Sequence, residues 1–179
     1  PLMDVSRLAS VLTTLSSQGK NITVISFGNY TVPGNATTYD VSGQGDKSIV
    51  AYVPTTMYGG WWWGVQNGTE LRVTDTNRDM VAFASGNSIC FKSGASDTST
   101  VFDNIKTINF DAVDTTRVTS AAYAFYNMKS LTTITGLSRW DTSKITTMNS
   151  MFKRCTGLKS LDFSSFNTKN VTDFSSMMY

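Results

Sequence analysis

The strongest constraint on the fold is a repeat that fills the C-terminal part of the chain. The triplet Val113-Asp114-Thr115 recurs as Trp140-Asp141-Thr142 and again as Phe166-Asn167-Thr168, so successive units lie 27 and then 26 residues apart. In that alignment the remaining matches are mostly apolar: Val118 with Ile145 and Val171, Ala124 with Met151 and Met177, Phe125 with Phe152 and Met178, Leu131 with Leu158, and Ile134 with Leu161. A period in this range is typical of chains built from stacked copies of one small unit.

Each unit has the pattern of a short strand followed by a turn and a short helix. Residues 158–167 show the leucine-rich spacing, in which a strand alternates its side chains and then turns at an Asn or Asp. Residues 171–178 carry apolar residues at three- and four-residue spacing, which is typical of a helix that buries one stripe. The sequence therefore predicts an α/β solenoid of leucine-rich-type strand-turn-helix repeats, in which stacked neighbours supply the core that no unit forms alone.

The middle unit resembles a known repeat. Residues 140–162, which read WDTSKITTMNSMFKRCTGLKSLD, resemble the repeat of BspA-like bacterial surface proteins. The resemblance covers residues 104–179, and residues 46–102 are more faintly similar to the segment that commonly precedes the first repeat. It implies a bacterial surface protein that attaches to host or neighbouring-cell proteins or to surface polymers, and that is not an enzyme.

The N-terminal residues 1–19 are predicted to form a short helix. Its apolar residues fall at alternating three- and four-residue intervals between a capping residue, Asp4, and a stop at Gly19: Val5, Leu8, Leu12 and Leu15. This stripe has two interpretations. It packs against the rest of the chain, or it is the end of an oligomeric stem that joins several chains.

Between this helix and the repeats, residues 20–103 are predicted to form a β-rich cap. Apolar and polar residues alternate in residues 22–28, 49–53 and 71–73, between clusters of Gly, Asn, Pro and Asp. The predicted organisation is therefore a helix at residues 1–19, a β-rich region at 20–103 and repeats at 104–179, the last of them incomplete.

Three consecutive tryptophans, Trp61, Trp62 and Trp63, are the candidate ligand contacts. Because consecutive strand residues point to opposite faces, three rings cannot all enter one core. In a functional interpretation, an exposed ring forms a platform for a sugar or a hydrophobic partner. In a structural interpretation, Trp61 and Trp63 pack inward while Trp62 lies across the surface.

A second candidate surface is the turn that follows each predicted strand. Polar residues occupy matching positions of two units there: Thr142 and Ser143 in one, and Thr168 and Lys169 in the next. We expect these residues to face solvent, where they either bind a ligand or are simply hydrated.

The residue types that catalysis and metal binding require are scarce. The chain has no histidine, which removes the usual general base and the commonest metal ligand. Asp and Glu total 13, no Gly-rich phosphate loop is present, and Cys90 and Cys155 are not spaced as a metal motif. The two cysteines are expected to be small buried residues, with a bridge between them as the alternative. We therefore expect no enzyme, no catalytic or metal-binding residue and no cofactor.

Charge and hydropathy argue against two classes of partner. The formal net charge is +2 and the Lys and Arg residues are scattered along the sequence, which gives little support to nucleic-acid binding. No apolar run approaches the ~20 residues that span a membrane. The expected partner is a protein or glycan surface ligand, bound by a monomer or by a stem-mediated oligomer.

Non-enzymatic adhesion by an extracellular or cell-surface protein is the function that these patterns predict. A secretion signal and an anchor are expected to lie outside this sequence. Two alternatives stay open. One is a structural or receptor-binding protein of a phage or other particle, with the helix as the end of an oligomeric stem. The other is a carbohydrate-binding module that uses the tryptophans.

Overall fold

In the computed structural model, the described residues are 2–31, 55–56, 62–75, 78–83, 87–92 and 99–178, and only the backbone is described for residues 55, 56 and 63. The described elements are α1 (Leu8–Ser17), β1 (Val24–Phe27), β2 (Thr55–Thr56), β3 (Trp62–Asn67), β4 (Glu70–Asp75), β5 (Val81–Ala82), β6 (Thr107–Phe110), β7 (Val113–Asp114) and β8 (Thr133–Thr135). Short 3₁₀ turns precede α1 at Val5–Arg7 and follow β8 at Leu137–Arg139. The strand predicted at residues 49–53 lies outside the described residues.

Six strands form one sheet in the order β2-β3-β4-β1-β6-β8. Within it β4, β1, β6 and β8 run parallel, and Val24 of β1 is aligned between Glu70 of β4 and Thr107 of β6. β3 pairs antiparallel with β4 across a tight turn in which Gly68 has a φ of +60°, a conformation that favours glycine. β5 pairs separately with β7. The larger sheet therefore joins strands of the predicted β-rich region with strands of the repeats.

The repeats contain no α-helix in the described part of the chain, so the predicted α/β solenoid of strand-turn-helix units is wrong. The repeats divide into three coils, residues 105–130, 131–157 and 158–178, of which the first two begin with strands of the larger sheet, β6 and β8. Residues 171–178, whose spacing predicts a helix, consist of turns, and so do their equivalents in the two earlier coils. The one α-helix among the described residues is α1, near the other end of the chain.

The backbone N–H groups explain why turns replace the predicted helix. Tyr123 donates to the carbonyl of Asn149, in the next coil, at 2.8 Å, whereas Ala124 donates three residues back to Ala121 at 3.2 Å. Other N–H groups that reach the next coil belong to Ala121, Phe125, Asn127, Met148, Ser150 and Phe152. An α-helix uses its N–H groups internally, so helical segments could not form these bonds between coils.

Left-handed residues at fixed positions also exclude a helix. Tyr123 and Asn127 of the first coil have φ angles of 58° and 57°, and their equivalents Ser150 and Arg154 have φ angles of 54° and 62°. A residue in this conformation breaks a right-handed helix. The apolar spacing of three and four residues therefore reflects successive three-residue turns that bury one side. A helix that buries one side has the same spacing.

The helix α1 is packed into the core of its own chain. Asp4 caps the 3₁₀ turn that precedes α1, because its Oδ1 accepts from the Ser6 N–H at 3.0 Å. The apolar stripe is buried at every position: Val5, Leu8, Val11, Leu12 and Leu15. One chain thus covers the surface that an oligomeric stem would need. No helix among the described residues is long and apolar enough to cross a membrane.

A column of aromatic rings runs through the core from the N-terminal strands into the repeats. Phe27 stacks on Phe110 with ring centroids 5.6 Å apart, and Phe125 stacks on Phe152 at 5.2 Å. Phe110 meets Phe125 edge to face at 6.2 Å, which links the two pairs. Because these rings come from β1, β6 and the turns of two coils, one continuous core holds the sheet and the coils together.

Cys155 is a free thiol, so the alternative of a bridge between the two cysteines is wrong. Cys155 is buried, its Sγ donates to the carbonyl of Phe125 at 2.8 Å, and burial raises the pKa of the thiol to about 11. The thiol of Cys90 donates to the carbonyls of Lys92 and Tyr123. Each sulfur is thus held by backbone acceptors and not by a disulfide partner.

Candidate functional site

The side chains of the parallel strands alternate between the core and the opposite side of the sheet. On β1, Ile25 and Phe27 are fully buried in the core, and Ser26 between them points to the opposite side. Val24 also lies on this side, and the outer sheet face is defined by the polar side chains that share it with Ser26: Glu70 and Arg72 of β4, Thr107 and Asn109 of β6, and Thr133 and Thr135 of β8. It is a polar surface that is four strands wide.

A row of hydrogen bonds crosses the outer sheet face. The Ser26 hydroxyl donates to Glu70 Oε2 at 2.8 Å and accepts from Asn109 Nδ2 at 3.0 Å. The Thr135 hydroxyl extends the row by donating to Asn109 Oδ1 at 2.8 Å. Ser26 is 1% exposed because its neighbours cover it. Each bond joins adjacent strands, so the row holds these side chains in one arrangement before any ligand arrives.

At one end of the row, an aromatic side chain is fixed against the end of β1. The hydroxyl of Tyr30 donates to the carboxylate of Asp111, which follows β6. Gly28 makes room for the ring, because a Cβ at Gly28 would lie 3.0 Å from Tyr30 Cζ and 3.1 Å from Asp111 Cβ. Burial, and then the bond to Asp111, raise the pKa of Tyr30 above its usual range. Tyr30 is therefore a neutral hydrogen-bonding ring at physiological pH.

A cation covers the same ring. The guanidinium carbon of Arg72 lies 5.1 Å from the centre of the Tyr30 ring, and Arg72 Nε donates to Glu70 Oε1 at 2.8 Å. The Arg72 side chain is 47% exposed, so the ion pair itself adds little stability. The ring and the carboxylate do fix the orientation of the planar guanidinium, which presents its remaining N–H groups to solvent.

The predicted polar turn surface is only partly exposed. Thr142, expected to face solvent, is 2% exposed, because its Oγ1 accepts from the Asn167 N–H at 2.8 Å and donates to the Asn167 carbonyl at 3.2 Å. Ser143 is half-buried, and Thr168 and Lys169 are exposed. The threonine that recurs in each repeat thus joins one coil to the next instead of forming a ligand surface.

The aspartates of the repeats also have a structural task. Asp141 Oδ1 accepts from the Ser143 hydroxyl at 2.6 Å and from the Ser143 N–H at 3.0 Å, and these two bonds lower the pKa of the carboxyl. Asp173 is bonded in the same way to Ser175, with the same effect on its pKa. A general acid needs a raised pKa, so these carboxylates are suited to capping turns and not to proton transfer.

The three candidate tryptophans do not form a platform among the described side chains. Trp62 is 4% exposed, so its predicted position across the surface is wrong. Trp63 pairs through its backbone with Thr74 of β4, but its side chain lies outside the described part, and so does the whole of Trp61. The only described ring of the cluster therefore belongs to the core.

The sequence contains a signal for part of the outer sheet face. Alternation on β6 places Asn109 opposite Ile108 and Phe110. The alternation predicted for residues 22–28 instead groups Ser26 with Ile22 and Val24, whereas Ile25 and Phe27 are the fully buried residues of β1. The contact between Tyr30 and Asp111 joins residues that are 81 positions apart, for which no local pattern exists. Among the described residues, no group of three His, Cys, Asp or Glu side chains could hold a metal ion.

Comparison with known proteins gives one match. Residues 96–179 match the model of a family described as a Mycoplasma protein of unknown function, DUF285. The matched segment contains all three coils and is similar to that family. No curated protein and no solved structure matches the chain.

Proposed function

We propose that this chain is a non-enzymatic, extracellular or cell-surface binding protein, and that its outer sheet face binds a protein or glycan on another surface. The observation that carries the proposal is the row of hydrogen bonds from Glu70 through Ser26 and Asn109 to Thr135. A fixed polar face is suited to binding a large partner through many contacts spread over the face. The extracellular location rests on the resemblance of the repeat unit to repeats of bacterial surface proteins.

Preorganisation is the physical reason why such a face favours binding. Ordering a long side chain on association costs roughly 0.5 to 1.5 kcal/mol, a cost that is reduced where intramolecular bonds already hold the side chain. The face extends about 14 Å from β4 to β8, because neighbouring strands lie roughly 4.8 Å apart. Arg72 at one side and Thr133 and Thr135 at the other are exposed and offer donors and acceptors to a ligand.

Among the described side chains, neither alternative that the sequence left open has a comparable surface. A carbohydrate site on the tryptophans would need exposed rings, and Trp62, whose ring is the one described, is buried. A particle protein with an oligomeric stem would need a free apolar stripe on the N-terminal helix, and Leu8, Val11 and their neighbours are buried within the chain. We therefore carry forward only the binding function of the outer sheet face.

The test compares binding by two variants that change the same number of charges. Thr133→Glu with Thr135→Glu places two carboxylates on the outer sheet face, and Thr146→Glu with Thr172→Glu places two on exposed positions of the turn segments. The purified chain is applied to epithelial-cell monolayers, immobilised matrix proteins and a glycan array. We expect saturable binding that the first variant weakens at least tenfold and the second leaves unchanged.

Two results would overturn the proposal. One is the absence of saturable wild-type binding to all three probes. The other is equal binding by the wild type and by the Thr133 and Thr135 variant, with unchanged thermal unfolding as proof that this variant is folded.

A further inference from the structure

A group of cations lies where each coil turns back towards the sheet. The basic corner consists of five residues from the three coils: Lys106, Lys129, Lys153, Arg154 and Lys159. Lys106, Lys129, Arg154 and Lys159 are exposed, and Lys153 is half-buried. These residues look scattered in the sequence because they are separated by up to 53 positions, from residue 106 to residue 159.

Backbone bonds bring the first members of the corner together. The carbonyl of Lys106 accepts from the Thr132 N–H at 2.9 Å, so the start of the first coil lies against the start of the second. The Asn127 N–H donates to the carbonyl of Lys153 at 2.8 Å, which places Lys153 and Arg154 beside the segment that leads to Lys129.

A close backbone contact connects the remaining members. Gly157 lies against the carbonyls of Lys129 and Leu131, since a Cβ at Gly157 would be 3.2 Å and 2.8 Å from their oxygens. Lys159 follows Gly157 by two residues and thus lies beside the corner of the preceding coil. Corresponding corners of successive coils are stacked roughly 4.8 Å apart. Lys106 of the first coil and Lys159 of the third therefore lie two coils apart, with Thr132 of the second coil between them.

The four exposed members of the corner have no carboxylate partner among the described residues. Residues 104–107, 126–133 and 152–160 contain no Asp or Glu. Asp103, just before the first of these segments, is 3.3 Å from the ammonium group of the buried Lys92. Within the described residues, no ion pair involves Lys106, Lys129, Arg154 or Lys159. Acidic residues lie at the other ends of the strands, among them Asp111 after β6 and Asp114 at the end of β7.

Hydroxyl groups surround the cations, and large apolar side chains do not. Thr132, Thr133, Thr156 and Ser160 are exposed in the same segments. The exposed large apolar residues of the described part are Met80, Phe174 and Met178, none of which belongs to the corner. A membrane-binding site gains affinity from apolar side chains that enter the bilayer. Cations with hydroxyls and no such anchor instead suit an anion that stays in water.

We propose that the basic corner binds a linear polyanion, a polymer with sulfate or phosphate groups along its length. The stacked cations contact successive anionic groups, and the neighbouring hydroxyls donate hydrogen bonds to their oxygens. This surface adjoins the outer sheet face at Thr133, but the cations that form it lie outside that face, and the proposal does not depend on a ligand there. Binding of this kind releases counterions, so its affinity falls with salt.

The experiment measures binding of the full chain to heparin as the sulfated probe and to inorganic polyphosphate as the phosphorylated probe. Lys129→Gln with Arg154→Gln removes two charges from the corner, and Lys106→Gln with Lys159→Gln is a second, independent variant. The matched control is Lys144→Gln with Lys169→Gln, which removes two exposed cations elsewhere. The wild type is also measured against phosphatidylserine vesicles.

We expect at least one polymer to bind, each corner variant to bind at least tenfold more weakly, and the control to change less than twofold. By the counterion-release rule, four ion contacts give a slope of about −3 for log affinity against log salt, or roughly 60-fold weaker binding between about 50 and 200 mM salt. Preference for heparin or for polyphosphate identifies the sulfated or the phosphorylated source.

Several outcomes would overturn the inference. They are no binding of either polymer, equal losses in the corner variants and the control, no dependence on salt, and tighter binding to the vesicles than to both polymers. Adhesion that survives in the corner variants but fails in the Thr133 and Thr135 variant would leave the outer sheet face as the one binding surface. The two proposals can therefore fail separately.

Discussion

The side chain of Thr115 bonds both backbone groups of Asp141, one coil further along the chain. Its Oγ1 accepts from the Asp141 N–H at 2.8 Å and donates to the Asp141 carbonyl at 3.2 Å. Thr142 makes the same two bonds to Asn167. The Asp-Thr pair by which the repeats align is thus a joint between coils: Asp caps a turn and Thr holds the next coil.

Replacing Thr115 by Val should destabilise the fold. The substitution keeps the shape of the side chain but leaves the buried N–H and carbonyl of Asp141 without their partner, which costs about 1 to 3 kcal/mol. Urea unfolding measures the loss. The control is Thr146→Val, whose exposed hydroxyl donates to the Thr119 carbonyl at 3.2 Å and should cost less than about 0.5 kcal/mol. Equal free energies of unfolding for the two variants would show that the Thr115 side chain does not hold the two coils together.

A glycine next to β8 should tolerate no side chain. Gly136 has a φ of +84°, and a Cβ there would overlap the carbonyl oxygen of Phe110. Gly68 is also left-handed, with a φ of +60°, but a Cβ there has no atom within 4 Å. We expect Gly136→Ala to cost about 1 to 3 kcal/mol more than Gly68→Ala, because only the former adds a clash to the strain. Similar melting temperatures for both variants would contradict the packing at Gly136.

Acid should weaken the turns that aspartates cap. The bonds from Ser143 lower the pKa of Asp141 below its usual 3.8, so the folded state favours the carboxylate. That contribution to stability is present above pH 3.8 and is lost as the pH falls through the lowered native pKa. Asp141→Asn keeps the accepting oxygen, as Asn167 does in the third coil, but cannot titrate.

The measurement is the free energy of unfolding of both proteins from about pH 5 to about pH 2. The wild type should lose more stability than Asp141→Asn over this range, and the other aspartates should affect both proteins alike. A difference between the two proteins that stays constant with pH would show that Asp141 is not preferentially ionised in the folded state.

Removing the central ring of the aromatic column should greatly lower the free energy of unfolding. Phe125 is fully buried and contacts Phe110, Trp140 and Phe152. Phe125→Ala should cost about 3 to 5 kcal/mol. Phe174→Ala, at a residue that is 46% exposed, should cost less than about 1 kcal/mol. A small loss in the first variant would mean that the coils and the sheet have separate cores.

The sequence predicted the spacing of the coils but not their construction. Hydrogen bonds between coils join residues 25 to 27 apart, as from Thr142 to Asn167, from Thr115 to Asp141 and from Thr146 to Thr119, close to the period of the aligned triplets. The apolar spacing within a unit could not separate a helix from a series of turns, because both bury one residue in three or four. Backbone hydrogen bonds to the next coil determine that the segment forms turns and not a helix, and these bonds join residues that are distant in the sequence.

The arrangement of the candidate site also depends on contacts between residues that are distant in the sequence. Alternation along residues 22–28 predicts a strand but groups Ser26 with Ile22 and Val24, and nothing in the sequence puts β1 between β4 and β6. The bonds from Ser26 to Glu70 and to Asn109 join residues 44 and 83 positions apart and exist only because of that strand order. A run of tryptophans is locally conspicuous, and the sequence therefore pointed to it first.

The most direct test of the account concerns Tyr123, a half-buried residue with a φ of 58° in residues 118–125, the equivalent in the first coil of the segment where the sequence predicts a helix. The measurement is the difference in free energy of unfolding between Tyr123→Gly and Tyr123→Ala. Left-handed turns predict that the Gly variant is more stable by about 1 kcal/mol, because a Cβ is disfavoured there. A helix predicts the opposite sign at about the same size. A more stable Ala variant would contradict the coil structure described here.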